Sequence, residues 1–154
     1  MPRQPRERTK HTLESFEFEV ARWSFSYGLH LNPSARPTDL LGKGWEHYFV
    51  ELEGPLCSKT TRRISTIRLS VTGRGKDPEK WPEGATRFGA AEVPRLGVLK
   101  VSATIPESSF PVFVTALAAG KITAVSFSID FGDSWRGLRD LSASSEPYSP
   151  EDSE

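Results

Sequence analysis

Large apolar residues recur at every second position through most of residues 14–141, the period of strands that turn one face to a core and the other to solvent. Phe16, Phe18 and Val20 alternate with Glu17, Glu19 and Ala21, and then the apolar parity changes to Trp23, Phe25, Tyr27, Leu29 and Leu31. A change of parity flips the buried face. The segment therefore carries a β-bulge near Ala21 and Arg22, or leaves one sheet and continues in another. The aromatic stripe Trp23, Phe25, Tyr27 reads as core. Turn-forming residues follow from Asn32 to Gly44, and a second strand is expected from Trp45 to Glu53, stopping at Gly54-Pro55. Tyr48, Val50 and Leu52 form its apolar face, while Trp45, His47, Phe49 and Glu51 form a mixed one.

A third strand, about Arg62 to Thr72, sets Ile67, Leu69 and Val71 against Thr66, Arg68 and Ser70, a half-exposed antiparallel pattern. A fourth, Leu96 to Ile105, gathers Leu99, Val101, Ala103 and Ile105 on one face. The period then changes. Phe110, Phe113, Val114 and Leu117 fall at i, i+3, i+4 and i+7, which predicts one helix over about residues 108–119, with Ser108 as cap, Pro111 in the first turn and Gly120 ending it. A last strand, Ile122 to Phe131, collects Val125, Phe127, Ile129 and Phe131, after which Asp133 or Ser134 is placed to cap a short helical turn through Leu141. Four to six strands with no helix between most neighbours exclude a doubly wound α/β sheet. The expected fold is mainly β, an antiparallel β-sandwich or twisted open barrel closed at one end by the helix.

Composition fits one globular domain. The chain has 154 residues, 36% hydrophobic and 26% charged, with no net charge, enough to bury roughly 70% of its extended surface. That neutrality hides a gradient: residues 1–12 carry +3 and residues 142–154 carry −4. Both ends are poor in large apolar residues and contain proline, so the expected organisation is a disordered basic arm (1–13), one β-rich domain (14–141) and a disordered acidic tail (142–154). No run approaches the ~18 apolar residues of a membrane span, and the start leads into alternating Phe and Glu instead of a signal core. Cys57 is the only cysteine, and Asn32 precedes Pro33, so no intrachain disulfide or N-glycosylation acceptor is present. The expected location is cytoplasmic, with no membrane partner.

Phe131-Gly132-Asp133-Ser134 follows a strand and resembles the nucleophile block of the GDS(L) esterases. That family's Asp-x-x-His block near the chain end is missing, since no histidine follows His47. Gly73-Arg74-Gly75-Lys76 lacks the spacing and the helix of a P-loop and reads as a turn of mixed charge. His11, His30, His47 and Cys57 show no paired metal-ligand spacing, and Cys57 with His30 or His47 is only a formal nucleophile–base pair. Glu17 with Glu19, and Glu51 with Glu53, share strand faces as solvated surface pairs do. No catalytic residue, metal ligand or cofactor is assigned.

Two features carry the functional expectation. The mixed face Trp45, His47, Phe49 is either packed or an exposed aromatic contact surface. The connection from Gly73 to Pro94 is longer than most within a domain and carries Trp81 and Phe88, placed to meet a ligand or to fold back as a plug. The leading expectation is a non-enzymatic module that binds a protein partner or its own copy, since strand edges accept added strands. A second class is a nucleic-acid-associated accessory protein using Arg3, Arg6, Arg8 and Lys10 with Arg62, Arg63 and Arg68. A third is an enzyme or small-ligand carrier with its site near His47.

Overall fold

A computed structural model describes residues 12–31, 44–132 and 135–145. Its eight strands are β1 (Thr12–Glu19), β2 (Arg22–Leu31), β3 (Gly44–Pro55), β4 (Thr66–Gly75), β5 (Gly89–Ala91), β6 (Val98–Pro106), β7 (Ala124–Phe131) and β8 (Arg136–Ser144), with one helix, α1 (Phe110–Ala118), between β6 and β7. All eight form one sheet in the order β1-β7-β8-β5-β6-β4-β3-β2. Every pairing is antiparallel except β4 with β6. This is the mainly β, open twisted architecture with a single helix that the periodicity predicts.

The parity change at Val20 and Ala21 is neither a bulge nor a move to another sheet but a break between two strands of the same sheet. β1 pairs with β7 and β2 pairs with β3, so one stretch of chain supplies both edges. The transfer shows in the backbone: the Val20 amide donates to the Thr123 carbonyl and the Ala21 amide to the Glu53 carbonyl. Chain and β3 touch closely here. A Cβ on Gly54 would lie 1.5 Å from the Glu19 carbonyl oxygen, so only glycine fits.

The inward faces of β1, β3, β4, β6, β7 and β8 meet in one core that includes Phe16, Phe18, Leu52, Ile67, Leu69, Leu99, Phe127, Ile129 and Leu138. Phe127 stacks on Phe16 at 5.5 Å and meets Phe18 edge-on at 6.3 Å. The helix buries Phe110 and Leu117, with Phe113 and Val114 half-covered. Gly73 makes room for Phe110, whose ring would collide with any Cβ there. The N-cap is Ser109 and not the expected Ser108, and its side chain makes no capping bond; Ser108 donates to the Asp77 carboxylate at 3.1 Å.

Several expectations are corrected. The segment after residue 134 is strand β8, with no helical turn; Asp133 and Ser134 themselves lie outside the described residues. Its pairing slips by one between Ser128 and Ile129, so that Leu138 faces Ile129 and Leu141 faces Phe127 with Arg139 as the extra residue. Such a bulge spaces two inward residues three apart, which in sequence imitates a helix. The strand also runs to Ser144, and β1 begins at Thr12, so regular structure exceeds the span 14–141 at both ends. Leu96 and Gly97 form a two-residue turn with φ of 52° and 78°, so the fourth expected strand starts at Val98. The third starts at Thr66 and continues through Gly75, which puts Gly73, Arg74 and Gly75 in strand and not in a turn. The basic arm, Arg3, Arg6, Arg8 and Lys10, lies outside the described residues.

Candidate functional site

β2 is the terminal strand of the sheet beside β3, and the two faces of this pair differ. On the core side, Trp23, Phe25 and Tyr27 lie opposite Leu52, Val50 and Tyr48. The β3 side chains Leu52 and Val50 are fully buried, whereas Trp23, Phe25, Tyr27 and Leu29 are 39, 51, 56 and 69% exposed. Their assignment to the core is therefore overturned. The stripe faces the correct way, but β2 is the last strand and α1 reaches only Phe25, whose ring stands 6.5 Å from Phe110. The Tyr27 hydroxyl donates to Glu46 at 2.8 Å, and this hydrogen bond raises the tyrosine's pKa.

On the outer side the mixed face of β3 meets β2. Trp45 stacks on His30 at 4.0 Å, His30 on His47 at 4.9 Å, and Phe49 lies 5.9 Å beyond His47. His30 Nε2 and His47 Nδ1 share a hydrogen bond of 2.9 Å. Gly28 permits the arrangement, since a Cβ there would sit 2.2 Å from His47 Cε1. Trp45 is 51% exposed and the other rings are half-covered, so this is a surface ladder. Sequence reasoning missed His30 and Gly28 as members of it. Only the register of β2 with β3 reveals them, since it sets His30 opposite Trp45 and Gly28 opposite His47.

The remaining sequence candidates are scattered. Trp81 stacks on Phe88 at 5.8 Å, and its indole donates to the Lys76 carbonyl at 2.8 Å. Phe88 packs against the core. Arg62 binds the Glu14 carboxylate at 2.6 Å and lies 3.7 Å over the Phe131 ring, whereas Arg63 is exposed. Arg68 stands 3.6 Å from Glu51 and 3.5 Å from Glu53. The Arg22 hydrogen bond holds the Glu53 carboxyl below its ordinary pKa despite some desolvation. Glu51 and Glu53 are thus ion-paired through Arg68. Cys57 sits beside Glu17 and Glu19, and desolvation together with the Glu19 charge pushes its thiol pKa up, which disfavours the reactive thiolate. His30 and His47, meanwhile, bond to each other.

Among the described residues no group of three or more His, Cys, Asp or Glu is placed to hold a metal, and no helix is long and apolar enough to cross a membrane. Compared with family models, curated proteins and solved structures, the chain matches none, so the site is read from its own chemistry.

Proposed function

We propose that the protein is a non-enzymatic binding module that works by strand addition at β2, and that the strand it receives is the β2 of a second copy. The single observation that carries this reading is a ten-residue edge strand with a partly exposed apolar stripe. Edge strands are ordinarily blunted by proline, bulges, charge or brevity. β2 holds a continuous register with β3, contains no proline, and has one charged residue, Arg22, already bonded to Glu53.

A second copy suits this edge. Antiparallel pairing with Ser26 on a two-fold axis puts Phe25 opposite the copy's Tyr27 and Trp23 opposite its Leu29, all on the core side. Such aromatic and aliphatic cross-strand pairs each contribute roughly 0.2–1 kcal/mol. At their observed exposure the four side chains present on the order of 400 Å² per copy, in the range of patches that mark interaction sites. The strand brings no like charges together on that face.

Sedimentation velocity at micromolar concentration tests the proposal. The wild-type chain is expected to dimerise, and Phe25→Asp with Tyr27→Asp to be a folded monomer. A monomeric wild-type protein, or a dimer that survives both substitutions, would overturn it.

A further inference from the structure

We infer that the outer face of the β4–β6 pair is a trough that binds single-stranded nucleic acid. Its floor follows from residue size. The parallel register sets Ser70 beside Ser102 and Thr72 beside Thr104, and Ala90 of β5 continues the row beyond Ser102. Small side chains leave the backbone surface low. Three adjoining clefts of about 280, 510 and 520 Å³ follow this floor, the first sharing Lys100 with the second and Ser102 with the third.

The two ends of the trough differ in chemistry. At one end the Trp81–Phe88 stack forms a wall, with Trp81 39% exposed. That wall is held in place: Trp81 is tied to the Lys76 carbonyl, and the Asp77 carboxylate accepts from Ser108. At the other end Lys100, Arg95 and Arg136 converge. Arg68 and Lys100 lie directly side by side in register, an arrangement that is destabilising for like charges. Glu51 and Glu53 answer Arg68, but among the described residues no ion pair answers Lys100. With Arg87 counted, the clefts hold five cations against Glu51 and Glu92, in a chain whose net charge is zero.

An aromatic wall beside a cationic run is what an unpaired strand requires. Bases stack on exposed rings while phosphates follow the positive charges, and neither contact reads sequence. The surface therefore points to a polynucleotide chain with its bases free, in preference to a compact anion that would use the cations alone.

Anisotropy of a fluorescein-labelled oligothymidine of about 20 nucleotides, titrated with the full chain at low salt, tests the inference. The expected result is saturable binding that weakens as salt rises, by counterion release. Lys100→Glu and Arg95→Glu should each weaken it roughly five- to tenfold, and Trp81→Ala by a similar factor through lost stacking. Val112→Ser, exposed on α1 at the opposite face, should leave it unchanged. Thermal melts confirm that these exposed variants fold. No saturable binding at low salt, equal binding to dextran sulfate that ignores Trp81→Ala, or binding lost only on replacing Arg3, Arg6 and Arg8 with serine would each overturn the assignment.

Discussion

The two edges of the sheet come from one continuous stretch of chain, yet among the described residues only one of them is crossed by another segment. Along β1, Phe18 bridges to Leu56, the Cys57 amide donates to the Glu17 carbonyl at 2.8 Å, and the Glu17 amide donates to Ser58 Oγ at 3.0 Å. Thr60 and Arg62 then bind the Glu14 carboxylate at 2.7 and 2.6 Å. The segment after β3 thus crosses part of the β1 edge and satisfies both backbone groups of Glu17. Along β2 no described segment does the same. Among the described residues the β2 edge is therefore the more open of the two, and the apolar stripe lies at that edge.

Phenylalanine truncation should give the largest contrast between these edges. Phe18→Ala removes a fully buried ring and should cost about 3–5 kcal/mol, lowering Tm by on the order of 10 °C. Phe25→Ala, on the same ribbon but half exposed, should cost below about 1 kcal/mol. Comparable losses in thermal melts would mean that β2 is as covered as β1.

Gly54→Ala should follow, at about 1–3 kcal/mol, since its Cβ meets backbone where β1 turns into β2. Gly84→Ala, where a Cβ meets nothing but φ is 81°, should cost less, on the order of 1 kcal/mol. Urea midpoints compare the two. Smaller again is the effect of Arg62→Met at the β1 edge, below about 1 kcal/mol because the pair with Glu14 is partly solvated.

Acid should weaken the ion pairs where β2 joins β3. Glu53 has a lowered folded-state pKa, so its contribution to stability is present above the ordinary glutamate value of about 4.3 and is lost as pH falls through the lowered folded value. Glu53→Gln should remove that part of the pH dependence, visible as a shallower fall in the urea midpoint below pH ~4. The smallest expected effect is Cys57→Ser, which should leave Tm within about 1 °C of wild type because the thiol is exposed.

Much of the fold was legible in the residue pattern. The alternation in β3, β4, β6 and β7, the helix at Phe110–Ala118 and the break at Val20 and Ala21 are local signals, set by side-chain direction every two or 3.6 residues. The mixed face of β3 was legible as well, though not the partner that completes it, because His30 arrives through a hairpin register that spans residues 32–43.

By itself, then, the sequence determined which positions alternate, where the buried face changes and where the one helix forms, because each depends on near neighbours along the chain. Tertiary structure alone decided which apolar faces are covered. Phe18 and Phe25 carry the same side chain in similar strand contexts, but Phe18 meets β7 and residue 56 while Phe25 lies on the last strand. The same holds for β8, whose bulge disguised a strand as a helix, and for the cations, which come from β4, β6, β8, a turn and the segment before β5. Coverage and convergence depend on strand order, which is settled by the burial of distant segments against one another.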